Sequence, residues 1–345
     1  MRYLVIGVLF LVIQAPVFGQ GCCSGGAGSP LAGGASTGVL QKNQFEVALS
    51  HQFNYTDEFY TGDSDTINLI DQLKSNYMFL RVDYGVTDKF TMSLATGYYL
   101  NRTILELGYS DTINSSGFSD IILLPRYSVF NKNRPNSRTE ITLGAGLKIP
   151  IGSNTDSSAV GLTSSGEDVF VISPPTVQST TGSQDLMLYG FFFQGYQKRK
   201  LRLFANTLYV RKGYNSMGQK FGDYASLGLF VSKTVLKNVG LTAQLKGEWV
   251  GKMKVAETVS DVDLTVYNID LYASGSKKVF FVPQVSYNYK QLTLFVSSEV
   301  PLYQYLTGVQ PGSMYQLTTG LSYRFIAKKA SLIPAKTVDI VESDL

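Results

Sequence analysis

Several stretches of the sequence alternate between apolar and polar residues, and charged side chains recur at the polar positions. These charged side chains are the candidate functional groups of the sequence. In "VGLTAQLKGEW" (239–249), Lys246 and Glu248 share the even positions with Thr242 and Gln244, while the odd positions are mainly apolar. A strict two-residue alternation produces two separate faces only in an extended strand. Ammonium and carboxylate groups arranged in rows on such a face set the field and the selectivity of a pore.

The same separation of charged from apolar positions holds in the other readable strands. If these strands close into a barrel, the charged set faces water in the lumen, because a Lys or Arg facing lipid at mid-bilayer would cost about 2–4 kcal/mol. The predicted lumen-lining residues are Glu46, Arg81, Asp83, Arg126, Lys148, Arg202, Lys246, Glu248, Glu299 and Arg324. The stretch "QDLMLYGFFFQGY" (184–196) is apolar on both parities, so its faces stay unassigned. An alternative is that the interior ions simply pair and fill space.

Catalytic chemistry has little support in this sequence. Its one imidazole, His51, shares its parity with Leu49 and Phe53, which points it outward or toward a rim. No Walker-type GK[ST] string and no HExxH string occurs. The sequence therefore predicts a protein that is not an enzyme and needs no cofactor.

Metal binding is also not predicted. Cys22 and Cys23 are adjacent in a Gly-rich segment, where two small residues without a ligand role are the favoured interpretation and lipidation is the minority one. The acidic stretch 56–71 could hold Ca²⁺ through Asp57, Glu58, Asp63 and Asp65. It lacks the ligand spacing and the terminal Glu of a calcium loop, so a solvated polar loop is favoured.

The composition indicates that much of the surface does not face water. Charged residues make up 16% of the 345 residues, against about a quarter in typical soluble proteins, whereas Tyr 22, Phe 20 and Gly 33 are abundant. The net charge of +4 is small and spread along the chain. No basic stripe with stacking aromatics accompanies it, so nucleic acid is not a predicted partner.

The two ends of the sequence differ from its middle. Residues 1–19 have a basic start, an apolar run and small residues before a cleavage point, as in a signal peptide for export. Residues 20–42 hold seven glycines and could fold into the lumen as a plug or gate. The mixed-charge residues 326–345 are predicted to be a flexible periplasmic tail. After removal of the signal, no apolar segment is long enough for a transmembrane helix.

Between these ends, twelve stretches read as strands of about 10 to 13 residues, the length that a tilted strand needs to cross a bilayer. They are 43–55, 75–86, 89–100, 117–130, 138–149, 184–196, 200–212, 221–234, 239–250, 278–289, 291–302 and 315–325. The links between them alternate long and short, as periplasmic turns and extracellular loops do. The predicted fold is all-β, an up-and-down antiparallel transmembrane β-barrel of about 12 strands over residues 43–325, preceded by a signal peptide.

Aromatic residues near the strand ends fit the two interface belts of such a barrel. The belt predicted on the side of the long loops includes Tyr224, Trp249 and Phe280. The longest loop, 150–183, is predicted to fold over the mouth or inward, or to be disordered. The last strand, "YQLTTGLSYRF", ends on Phe325 and resembles the terminal signal of outer-membrane barrels, a resemblance that implies contact with the barrel-assembly machinery.

Four segments carry a resemblance to a family: "GFSDIILLPRY" (117–127), "LGAGLKIPIGS" (143–153), "TTGSQDLMLYGFF" (180–192) and "VPQVSYNYKQLTLFVSSEVPLYQYLTGVQ" (282–310). They resemble the outer-membrane transporters of the MetA-pathway-of-phenol-degradation type, which are distantly similar to long-chain fatty-acid and hydrocarbon uptake barrels. The leader "GCCSGGAGSPLAGG" resembles those of Bacteroidetes barrels. The resemblance implies passage of small, apolar or aromatic molecules.

The expected location is therefore the bacterial outer membrane, with membrane lipid and small-molecule solutes as partners. The expected function is passive passage of small molecules through a charged lumen. Two alternatives remain open, a non-conducting structural or adhesion barrel acting through its extracellular loops, and a soluble secreted β-sandwich.

Overall fold

The structure is a computed structural model that describes residues 20–21, 38–106, 112–162, 165–260 and 270–327. The predicted signal peptide, residues 22–37 of the leader and nearly all of the predicted tail lie outside the described residues, and so do Cys22 and Cys23. Within the described part, no helix is long and apolar enough to cross a membrane.

Twelve long antiparallel strands follow one another around a closed barrel. They are β1 Gln44–Thr56, β2 Gln72–Thr87, β3 Phe90–Leu105, β4 Asp120–Arg134, β5 Ser137–Pro150, β6 Asp185–Tyr196, β7 Leu201–Arg211, β8 Tyr224–Thr234, β9 Val239–Val250, β10 Ser276–Tyr289, β11 Leu292–Pro311 and β12 Ser313–Ile326. Closure comes from pairing of β12 with β1, where Phe45 lies opposite Phe325. The predicted fold class is confirmed.

The connections alternate in length as expected, except between the last two strands, where a longer link was predicted. Links of two to four residues join β2 to β3, β4 to β5, β6 to β7, β8 to β9 and β10 to β11, and all of them lie at one end, here called the turn side. The opposite end, the loop side, carries the longer connections, with one exception: β11 and β12 extend beyond the barrel wall until Gly312 alone joins them. The first strand begins and the last strand ends at the turn side.

Among the described residues, eight short strands accompany the twelve long ones. They are Gln20–Gly21, Phe59–Gly62, Ser64–Thr66, Thr112–Phe118, Ser157–Leu162, Asp168–Ile172, Gln219–Lys220 and Lys254–Val255. Thr112–Phe118 pairs with the loop-side half of β3, and Phe59–Gly62 pairs with the end of β11. Ser157–Leu162 and Asp168–Ile172 form a hairpin within the longest loop. Most of these strands lengthen the loop-side wall around the mouth.

The two faces of the barrel wall have opposite chemistry. Leu245 of β9 points outward and is 48% exposed, whereas Glu248 of the same strand points inward and is 6% exposed. In β6, which the alternation left unassigned, Met187 and Tyr189 are buried inside and Leu188 is exposed outside. This strand reads as apolar throughout because an aromatic cluster fills the lumen beside it.

Two of the predicted belt aromatics point the other way. Tyr224 and Phe280 are buried on the lumen side, while Trp249 and Tyr303 are exposed on the outer wall. The prediction for Tyr224 and Phe280 is wrong because the lumen also has an apolar wall. An aromatic residue near a strand end can therefore serve either face.

Candidate functional site

A cavity of about 520 Å³ occupies the loop-side half of the lumen. Its size falls within the range of small-molecule sites. Inward-facing positions of the strands supply its apolar lining, which includes Tyr99, Met187, Leu208, Tyr224 and Phe280. Because successive residues of a strand face opposite sides, each of these strands gives alternate residues to the cavity and the rest to the outer wall.

One ionic cluster lies where four strands end at the loop side. The Lys148 Nζ, near the end of β5, lies 2.7 Å from Asp120 Oδ2 and 3.3 Å from Asp185 Oδ2. The Lys212 Nζ, just beyond β7, lies 2.9 Å from the same Asp185 oxygen. Asp120 and Asp185 are the first residues of β4 and β6. Two ammonium groups thus meet two carboxylates.

A second ionic cluster lines the cavity on β8 to β11. The Lys246 Nζ lies 2.8 Å from Glu248 Oε1 and 2.7 Å from Glu299 Oε2. The Tyr224 hydroxyl donates to Glu248 at 2.7 Å, and Lys278 acts on Glu248 electrostatically. Here too, two cations accompany two carboxylates, so neither cluster is a concentrated source of one charge.

The longest loop folds inward over the mouth, one of the outcomes expected from its sequence. Val177 is fully buried beside Leu73 and Ile104 in an apolar cluster. The Ser115 hydroxyl donates to the carbonyl of Val177, and Thr180 donates to Asp120. The loop therefore narrows the loop-side entrance and ties itself to the first ionic cluster.

Packed side chains form the floor of the cavity. Tyr77 of β2 is 0% exposed, and it belongs to a cluster that includes Tyr189 and Phe191 of β6. The rings of Phe204 and Phe230 stack with their centroids 4.3 Å apart. This cluster joins inward faces from β2 round to β8, so it fills much of the bore at mid-height.

Below the floor, at the turn side, lies a buried ionic network. The Arg81 Nε lies 2.9 Å from Asp83 Oδ2, and the Arg126 Nη2 lies 2.8 Å from Asp83 Oδ1. The Arg81 Nη2 lies 3.4 Å from Oε1 of Glu46 on β1, and Arg324 on β12 pairs with the same Glu46 carboxylate. Arg324 is exposed, but the other four ions are buried, and buried ions persist only when they are paired and hydrogen bonded.

The ten predicted lumen residues separate into two groups and one outlier. Lys148, Glu248 and Glu299 line the cavity, and Lys246 pairs with those two glutamates. Glu46, Arg81, Asp83, Arg126 and Arg324 form the turn-side network. Arg202 lies at the turn-side rim, where it is exposed and its Nη2 donates to Ser232 at 3.2 Å.

The prediction missed several charged residues of the lumen. Glu140 shares its parity with Lys148 on β5, so the alternation could have included it. Lys278 lies within β10 and shares its parity with Gln284, so the alternation could have included it too. Asp185 and Lys212 stand at or just beyond a strand end, where the alternation starts or stops.

The imidazole and the acidic stretch that the sequence offers as candidates for catalysis or metal binding do not belong to the ionic clusters of the cavity. The His51 Nε2 lies 3.1 Å from Asn76 Oδ1, away from both ionic clusters of the cavity. Among the described residues, no three His, Cys, Asp or Glu side chains are grouped to hold a metal ion. Part of the acidic stretch 56–71 forms a hairpin from Phe59–Gly62 and Ser64–Thr66.

Comparison with known proteins finds likeness in structure. No protein-family model matches the chain, and no curated protein matches its sequence. The COG4313 outer membrane channel from Pseudomonas putida F1 superposes with a TM-score of 0.59 at 15% identity, over 84% of this chain and 97% of that one. The KdgM porin gives 0.39 at 8% identity, over 81% and 99%. A FadL homologue from Pseudomonas aeruginosa gives 0.37 at 9% identity, over 82% and 90%. The first of these likenesses shows that the fold is that of an outer-membrane barrel.

Proposed function

We propose that this protein is a channel in the outer membrane of a diderm bacterium, through which small molecules pass down their gradient. The observation that carries the proposal is the cavity of about 520 Å³ inside a barrel whose outer wall is apolar. An apolar outer wall with a polar interior suits lipid outside and water inside. The Pseudomonas putida barrel of the same fold is named an outer membrane channel, which supports this class.

The lining favours solutes with an apolar or aromatic body and a few polar groups. Tyr99, Met187 and Phe280 offer apolar contact, while the two ionic clusters are charge-balanced. A cluster with equal numbers of positive and negative groups has no strong preference for cations or anions. Its carboxylate oxygens can accept hydrogen bonds from a solute's hydroxyl groups, and its ammonium groups can donate hydrogen bonds to a solute's carboxyl groups. The resemblance to MetA-type transporters implies the same class, and it remains a prediction.

A second candidate is a non-conducting barrel that anchors its loops at the cell surface. The packed floor favours it, since Tyr77 and Arg81 are at most 2% exposed at mid-height and below. In that case the interior ions would serve to hold the barrel together. Contact of the last strand with the assembly machinery through Phe325 is compatible with both candidates and stays a prediction.

Solute flux into liposomes separates the two candidates. We expect proteoliposomes to swell in small aromatic acids faster than in sugars of similar mass. Met187→Trp should slow this swelling because Met187 faces the cavity, whereas Leu188→Trp should not, because Leu188 faces outward. Swelling no faster than that of protein-free liposomes, together with the absence of conductance in planar bilayers, would identify the non-conducting barrel.

Lys212 gives the channel a predicted pH dependence. It lies beyond the end of β7, and burial together with the charge of Lys148 lowers the pKa of its ammonium to about 8. Below this pH the loop-side cluster is balanced, and above it the loss of one proton leaves one net negative charge. The reversal potential in a KCl gradient should therefore shift toward cation preference between about pH 7 and about pH 9. Lys212→Met should remove the shift, and a wild-type potential that does not change would contradict the assignment.

A further inference from the structure

The end of the Gly-rich leader lies across the turn-side mouth of the barrel. Residues 38–42, here called the strap, precede β1 and are held by the inner wall rather than by strand pairing. The Val39 N–H donates to Glu140 Oε1 at 3.0 Å, and the Leu40 N–H donates to Thr91 Oγ1 at 2.8 Å. The Lys42 N–H donates to Asp88 Oδ1 at 3.0 Å.

The strap also covers the buried ionic network. The Gly38 carbonyl accepts a hydrogen bond of 2.9 Å from Arg126 Nη1, while Nη2 of the same guanidinium bonds Asp83 and Ser93, each at 2.8 Å. Leu40 is 6% exposed. A Cβ on Gly38 would lie 2.5 Å from Glu140 Oε1 and 3.2 Å from a ring carbon of Phe191, so this glycine is pressed against the wall and the floor.

The contacts place the strap across the bore. It leaves β1, touches β2 and β3 through Gly85 and Thr91, and reaches Glu140 on β5 and Phe191 on β6. In a closed ring of twelve strands, β6 stands five strands away from β1, so it lies close to the opposite wall of the barrel. A segment held on both sides of the bore obstructs the route between the floor and the turn-side opening.

We propose that the strap is a gate for the channel and that its displacement opens the turn-side end of the route between the cavity and the periplasm, a route that the packed floor narrows at mid-height. This proposal deepens the proposed function and rests on it. The strap can leave without breaking the barrel, because the twelve-strand ladder closes through β12 and β1. Each strap hydrogen bond to the wall adds modestly to the closed state, so losing one buried acceptor should raise the ratio of open to closed channels about tenfold.

Two substitutions on neighbouring strands should displace the strap, one by adding a steric contact and the other by removing a hydrogen-bond acceptor. A Cβ on Gly85 would lie 1.9 Å from the Gln41 carbonyl oxygen, so Gly85→Ala pushes on the strap from β2. Thr91→Val removes the acceptor of the Leu40 N–H. Gly247→Ala is the matched control, since a Cβ there meets no atom within 4 Å. Heat-modified mobility on SDS gels checks that each full-length variant folds.

Strap position and permeation are measured separately. The reporter is Leu40→Cys in a chain with Cys22→Ser and Cys23→Ser, labelled by a membrane-impermeant maleimide. Conductance is measured in planar bilayers in KCl. We expect both Gly85→Ala and Thr91→Val to raise the labelling rate and the conductance about tenfold. Gly247→Ala should behave as the parent.

The outcomes distinguish the gate from the channel. If the parent already passes ions and aromatic acids and the two variants label faster without conducting more, the channel stands and the gate is wrong. Rapid labelling of the parent at position 40 would also overturn the gate. If no variant conducts even with a freely labelled strap, both the gate and the proposed function fail.

Discussion

Asp83→Asn is expected to lower the free energy of unfolding of the barrel by about 3–5 kcal/mol, the usual cost of removing one partner of a buried ion pair. The Asp83 carboxylate accepts from Arg81, Arg126 and Ser93, and all four side chains are at most 3% exposed. An amide at this position would leave two buried guanidinium groups without their shared anion. The network joins β2, β3 and β4, so its loss weakens contacts across three neighbouring strands.

Urea-dependent unfolding in lipid vesicles measures this loss. The sequence has a single tryptophan, and Trp249 lies on the outer wall, so its fluorescence reports whether β9 is in lipid. Asp63→Asn is the matched control, because Asp63 is an exposed carboxylate in a loop and such changes usually alter stability by about 0.5 kcal/mol or less. Equal unfolding midpoints for Asp83→Asn and the wild type would show that the network does not stabilise the barrel.

The barrel could be predicted from the sequence because lipid penalises charge on one face of every strand. That penalty is local, since it acts on Lys246 or Arg126 whatever residues stand nearby in space. It predicted the parity of every strand except β6 and ten charged positions on the lumen face, but it missed Glu140, Asp185, Lys212 and Lys278. It could not identify ion pairs that skip a strand, such as Arg126 of β4 with Asp83 of β2, or Lys246 of β9 with Glu299 of β11. Those pairs depend on the register and the curvature of the closed barrel.

For a related reason, the alternation of residues along the strands predicts neither the packed floor nor the position of the strap. Alternation says which face a residue takes, but the side chains of Tyr77 and Phe191 fill the bore because of their size and of what stands opposite. Glycine content suggested that the leader could enter the lumen. Where its last residues lie is decided by single acceptors such as Glu140 and Thr91, which stand far from the leader in sequence.

Leu245→Arg is expected to lower the free energy of unfolding in lipid vesicles by about 2–4 kcal/mol. Leu245 lies in the middle of β9, opposite Leu229 on β8 and Phe281 on β10, and its side chain points away from the lumen. Hydrocarbon cannot hydrogen bond a guanidinium, so the penalty should be largest at this depth.

The neighbouring position gives the control for this test. Gln244 has the opposite parity and lies on the lumen side near Gly228, so Gln244→Arg should cost less than about 1 kcal/mol. Urea unfolding followed by the fluorescence of Trp249 compares both variants with the wild type. Because the two positions are adjacent on one strand and receive the same residue, strand position and the new side chain are matched, and the two variants differ chiefly in the side that the new charge faces. Equal losses for the two variants would mean that the outer wall does not meet lipid, and the channel assignment would lose its physical basis.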